Sequence, residues 1–165
     1  MINLNLALSA DFKLWEFVVS TTADQNGIKN LPNQTEVAHL RLLCQKILQP
    51  ARNALGPPKI TSGFRSDKLN KLVGGAENSD HRLGYAADII PYEVETRKLA
   101  EWVALNCRKF DQIILEFGTL KKPNWIHLSI APANRKQILR ATYKNKKVIY
   151  QSINKNLTRP VLKFT

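Results

Sequence analysis

The sequence predicts an α+β domain, with N-terminal helices packed on a small, mainly antiparallel sheet. Three observations predict it. Apolar residues recur at 3- and 4-residue spacing up to Gly56, which is the helical period. After Gly56 the apolar runs become short and are broken by Gly, Pro and Asn, as in strands joined by turns. Within two of those runs sit polar residues that an apolar strand does not ordinarily carry: Asp88 in GYAADIIP and His127 in PNWIHLSI.

Ser9-Ala10-Asp11-Phe12 is expected to open a first helix, with Ser9 or Asp11 as cap, a stripe of Phe12, Trp15, Glu16 and Val19, and a stop at Asn26-Gly27. Thr35 is expected to cap a long second helix, with Val37, Leu40, Leu43, Cys44, Ile47, Leu48 and Ala51 inward and a bend or break at Pro50. His39 lies at the flank of that stripe and reads as an ordinary helix residue. Residues 59–62 read as a strand, residues 67–73 as a short helix capped by Ser66, and residues 76–82 as a loop. Residues 84–90 read as the second strand, and residues 93–107 as a helix. Residues 111–117 and 124–130 read as strands close enough in sequence to pair antiparallel. Asn134 is expected to cap a helical turn through Leu139, and residues 143–153 alternate, with Val148 and Tyr150 opposite Ile149 and Gln151.

The length suits one domain, residues 1–165, with residues 134–165 as a basic C-terminal segment of that domain. The charge is uneven: residues 1–133 hold +3 of the net +12, and residues 134–165 hold +9 with no acidic residue. Such a segment favours an anionic surface, such as a wall polymer or a membrane. Nucleic acid is not favoured, because neither a helix-turn-helix signature nor aromatic residues interleaved with basic ones accompany the charge. Cys44 and Cys107 have no C-x-x-C partner and read as buried thiols of a chain that folds in a reducing compartment. The first residues lack a basic start and a small-residue cleavage site, so no signal peptide is expected and synthesis is expected in the cytoplasm.

Side chains alternate across a strand, so Asp88 shares a face with Ala86 and Ile90. A carboxylate in apolar company needs a strong partner. His81, seven residues earlier, and His127 complete a set of two His and one carboxylate, which with a fourth position left to water is a catalytic zinc arrangement.

Four stretches occur in order: Ser62-Gly63-Phe64-Arg65; Ser79-Asp80-His81; His81-x-x-Gly84-x-Ala86-x-Asp88; and Trp125-Ile126-His127. With these the chain resembles the M15 zinc peptidases, the D-Ala-D-Ala carboxypeptidase group, and within it the small single-domain branch found in phages and bacteria. The resemblance runs from Phe12 to about Ile130. It implies the D-Ala-D-Ala carboxypeptidase or hedgehog-like fold, with Zn2+ held by His81, Asp88 and His127. It implies that Arg65 faces the substrate and the developing oxyanion, and that Ser79 lines the site. Many relatives carry an acid three positions before the last His. Here that residue is Asn124, which cannot act as a base, and Glu116 on the preceding strand is the substitute the resemblance implies. Other readings stay open: Arg65 as a structural partner of Asp67 or Asp80, Glu116 as a solvated strand end, Asp80 as a solvated loop residue, Trp125 as core. Asp111 is expected to face away from the site, so that its amide variant would be silent.

The function implied is a zinc metallopeptidase, a hydrolase of peptidoglycan stem peptides acting as carboxypeptidase or endopeptidase in cell wall degradation, with a phage endolysin as one setting. It would work as a monomer at the cell wall or in the periplasm, delivered by lysis machinery or as part of a virion. The alternative is a catalytically inactive wall-binding or virion module that retains the fold.

Overall fold

The computed structural model describes residues 2–153. The chain opens with two short helices, α1 (Trp15–Val18) and α2 (Thr21–Gln25), in place of the single helix expected. Val19 is extended between them, and the Ser20 side chain accepts from Ala23 N to start α2. Ser9 and Asp11 cap nothing; both bond the Gln49 side chain. The break has a tertiary cause, because Phe17 O accepts from Phe64 N and Val18 O accepts from the buried Asn30 amide.

Helix α3 (Gln34–Leu43) is capped by Asn33, two residues before the expected cap Thr35, through a reciprocal pair with Glu36. It continues through a π-helical turn (Cys44–Leu48) into α4 (Gln49–Leu55). Pro50 has no N–H to give back to the preceding turn, and the widened turn absorbs that loss without breaking the helix. Strand β1 (Pro58–Ser62), helix α5 (Asp67–Leu72) capped by Ser66, and a 3-10 turn at Asp80–Leu83 lead to strand β2 (Ala86–Pro91). Helix α6 (Thr96–Asn106) follows, then β3 (Gln112–Glu116) and β4 (Trp125–Ser129).

The helical turn expected at residues 134–139 is absent. Asn134 and Lys136 are left-handed at φ 48° and 54°, and the chain enters β5 (Gln137–Lys144) and then β6 (Lys147–Ser152). Ile138 and Ala141 on β5 are buried, and that burial outweighs the local helical pattern. The basic segment therefore extends the sheet over its described part; residues 154–165 lie outside the described residues.

The sheet order is β1-β2-β4-β3-β5-β6, antiparallel throughout except for the parallel pair β3–β5. One face, with Ile89, Ile113, Leu115, Ile126 and Leu128, packs against Leu40, Leu43, Ile47 and Leu48 and against Leu99 and Val103 of α6. Burying each such side chain contributes about 1.5–3 kcal/mol, which makes this face the anchor of the fold. The alternate residues of the same strands carry the site. Cys44 and Cys107 are free and buried, and burial raises both thiols, Cys107 to about 11. Among the described residues no helix is long and apolar enough to cross a membrane.

Candidate metal centre

The register across the sheet aligns Ser62 on β1 with Asp88 on β2, Asp88 with His127 on β4, and His127 with Ile114 on β3. Two neighbouring ligands thus come from neighbouring strands. His81 arrives on the 3-10 turn, which ends at Gly84 in left-handed conformation at φ 73°. A Cβ there would also meet the Glu36 carbonyl oxygen at 2.5 Å, so only glycine lets the turn close against α3. Gly63 meets a similar demand, because its Cβ would strike the Phe17 carbonyl oxygen at 2.5 Å. That close approach sets the Gly63 carbonyl 2.7 Å from His81 Nδ1.

A carbonyl oxygen only accepts, so Nδ1 of His81 carries a proton and Nε2 is the nitrogen that faces the site. Nε2 lies 3.1 Å from Asp88 Oδ1 and 3.0 Å from His127 Nδ1, which is itself 3.0 Å from Asp88 Oδ1. His81, Asp88 and His127 are 2, 6 and 7% exposed, so water does not compensate them. Three donor atoms that converge in a buried place could hold a metal cation. Atoms bound tetrahedrally at about 2.0–2.1 Å from zinc stand about 3.3 Å apart, a small expansion of what is present, so the donor set fits the ion. Burial works to raise the Asp88 carboxyl, but the charge and hydrogen bonds of the two imidazoles outweigh it and hold Asp88 far below the usual carboxylate range.

Arg65 leaves the end of β1 and donates from Nε to Ser62 Oγ at 2.8 Å and from Nη2 to Asp88 Oδ2 at 2.6 Å. It pairs with neither Asp67, which takes Arg82, nor Asp80, which takes Arg135. Buried Asn30 holds the segment in place, bonding Phe64 O and Ser66 N on either side of Arg65. Glu116 lies two residues beyond Ile114 on β3, opposite Trp125. Burial, and then the Asp88 charge, raise its carboxyl to about 7, against the opposing pull of His127, Arg65 and a hydrogen bond from the Trp125 side chain.

Arg65, Ser79, His81, Asp88, Glu116 and His127 line one cleft of about 730 Å³. Trp125 walls it, half-buried, and is not core. Asn124 lies at the entrance of β4, its N–H bonded to Glu116 O, and brings no acid to the site. His39 stays outside, bonded to Leu83 O and the Tyr85 hydroxyl.

Two of the sequence expectations are corrected here. Asp80 is not a solvated loop residue: its side chain is 13% exposed and bonds Arg135 at 2.8 Å. Asp111 is not among the residues lining the cleft, but it is fully buried and accepts from Arg135 Nε at 2.9 Å, so it is a structural anchor and its amide variant is not expected to be silent. Arg135 thereby ties the turn that carries His81 to the start of β3. Residues of β5 and β6 also reach the cleft, among them Tyr143, Val148 and Tyr150. Sequence reasoning noticed the alternation at Val148 and Tyr150 without assigning them to the site.

A sequence model of the Peptidase M15 family matches residues 10–129. This chain belongs to the M15 peptidase family. The M15 match and the His-Asp-His donor set agree on zinc as the metal. A stretch of 44 residues is 52% identical to a protein named zinc D-Ala-D-Ala carboxypeptidase from Streptomyces albus G, covering 26% of this chain and 17% of that relative. The M15 match ends at Ser129, so β5 and β6 lie beyond it.

Proposed function

We propose that this M15 chain is a zinc-dependent peptidase that cleaves peptidoglycan stem peptides, as a D-Ala-D-Ala carboxypeptidase or a peptidoglycan endopeptidase, with lysis of a cell wall as its setting. One arrangement carries the reading. The Glu116 carboxyl, raised to about 7, shares a cleft with three converging ligand atoms and with Arg65. The name of the Streptomyces relative supports the substrate class.

When bound, zinc acidifies water and polarises a carbonyl. Glu116 accepts the proton of the attacking water at a carboxylate oxygen and returns it to the leaving amine nitrogen. A group with a pKa close to the working pH does both without a large penalty in either direction. Arg65 orients Asp88 through Nη2, and its Nη1, which bonds none of the described residues, is available to the substrate carboxylate or the developing oxyanion. Ser79 offers a hydroxyl to the substrate from the turn before His81. Delivery to the wall by lysis machinery or within a virion belongs to the same proposal, as does attraction of the basic segment to an anionic wall polymer or membrane.

The test is digestion of purified peptidoglycan by the zinc-loaded protein, with the released fragments weighed by mass spectrometry. Loss of a terminal D-alanine identifies the carboxypeptidase, and a new amino terminus within the stem peptide identifies the endopeptidase. Wall binding without any cleavage would favour the inactive binding module instead.

A further inference from the structure

Phe117 follows Glu116 directly, so ordinary strand alternation would send its ring to the opposite face. Its backbone is left-handed at φ 54°, a conformation an aromatic residue rarely adopts. The result is that the Phe117 ring lines the same cleft as Glu116. It stacks on Tyr143 with centroids 4.5 Å apart and planes 16° apart, and tilts against Trp125 at 5.2 Å.

Core packing does not require this strain. Phe117, Trp125 and Tyr143 are all outside the buried core, and Tyr143 is 67% exposed. Phe117 covers one face of the Tyr143 ring, and that exposure leaves the other face open. Tyr150, 56% exposed, continues the surface from β6, opposite Ala141 and in the row that holds Glu116. Backbone strain held at a half-buried place on the wall of a cleft is a pointer to a ligand. The rings are backed and fixed in advance, so little ordering is needed when something binds.

The occupant follows from the shape and the continuity with the cleft. Flat, open aromatic faces beside hydroxyl groups suit a pyranose ring, whose axial C–H face packs on the ring while its hydroxyl and acetamido groups bond the tyrosine hydroxyls. We propose that the Phe117–Tyr143 platform, continued by Trp125 and Tyr150, is a subsite for an N-acetylhexosamine ring attached to the peptide substrate. The proposal rests on the peptidoglycan reading given above. Tyr143 and Tyr150 come from strands beyond the M15 match, so the subsite is this chain's own addition to the shared centre.

The experiment uses the full chain, zinc-loaded, titrated with the N-acetylglucosamine tetramer while the Trp125 indole resonance is followed by NMR. A saturable shift is expected in the wild type. Tyr143→Ala should weaken binding about tenfold, and Tyr143→Phe should retain most of it. The triple variant Lys144→Gln, Lys146→Gln, Lys147→Gln should bind the neutral sugar as the wild type does. No shift in the wild type, or a loss that follows the lysines and not Tyr143, overturns the subsite. A protein that cleaves sugar-free stem peptide yet ignores the tetramer loses only this proposal. One that binds the tetramer and cleaves no wall peptide loses the peptidase reading.

Discussion

Arg65 Nη2 donates to Asp88 Oδ2 at 2.6 Å, so the arginine of Ser62-Gly63-Phe64-Arg65 holds the outer oxygen of a metal ligand whose inner oxygen meets both imidazoles. Read from sequence, Arg65 faced the substrate and the developing oxyanion or else paired with Asp67 or Asp80, and neither reading put it on a metal ligand. The geometry predicts more. Arg65→Lys keeps a charge but cannot bond Ser62 and Asp88 together. Partners that orient a metal ligand are worth about 10–100-fold in metal affinity or activity. The variant should fold, bind zinc about tenfold more weakly by competition with a chelating dye, and lose hydrolysis even at saturating zinc. Unchanged zinc affinity would return Arg65 to a purely substrate-facing role.

His81→Ala and His127→Ala should each leave the purified protein without stoichiometric zinc, measured by elemental analysis. Metal ligands bind in their deprotonated form, so zinc affinity in the wild type should fall in acid. A His81→Ala protein that retains one zinc places the metal elsewhere.

Glu116→Gln preserves shape and removes the proton acceptor. Zinc content should persist while hydrolysis falls by about two to four orders of magnitude. The stability effect has a definite sign in metal-free protein. Folding raises the Glu116 carboxyl from 4.5 to about 7, so the folded state holds its proton more tightly and wild-type stability declines as pH rises through that window. The Gln variant lacks this decline. Urea unfolding at pH 5 and pH 8 should show the variant gaining on the wild type by roughly 2 kcal/mol at the higher pH. Parallel pH dependence in the two proteins would mean that Glu116 is solvated.

Asp111→Asn should destabilise the fold by roughly 2 kcal/mol, because it leaves Arg135 facing a buried site without its carboxylate. Thermal unfolding measures this directly. The effect should be shared by Arg135→Gln and should not add fully in the double variant, since both remove one interaction.

Lys144, Lys146 and Lys147 are exposed at the β5–β6 hairpin. Changing all three to Gln should reduce adsorption to anionic wall preparations at low salt and leave adsorption at high salt unchanged, where screening already removes it. Sedimentation with wall fragments across a salt series gives the comparison. Cleavage of small soluble peptides should not change.

Local pattern was enough for much of this chain. Asp88 and His127 were legible because a polar residue in an apolar strand conflicts with its surroundings, and His81 because it stands seven residues before Asp88 within the motif the chain shares with the M15 peptidases. Glu116 was legible through the resemblance, which left it as the acid that could replace Asn124, and the Ser66 cap from residue type. Elsewhere the same local rules were overruled at a distance. Residues 134–139 carry a helical pattern but form strand β5, since β3 presents a free edge and Ile138 and Ala141 find a core there. Asp111 was placed facing away from the site, but nothing local showed that Arg135, 24 residues later, would fold over it. Phe117 reached the cleft only through a backbone twist that no periodicity encodes. Period, cap and chemical type are properties of neighbours in the chain. Which partner a charge takes, and which face a ring occupies, depends on segments that meet only after folding, so the ligands could be read from the sequence while their supports and the aromatic wall came from the three-dimensional packing.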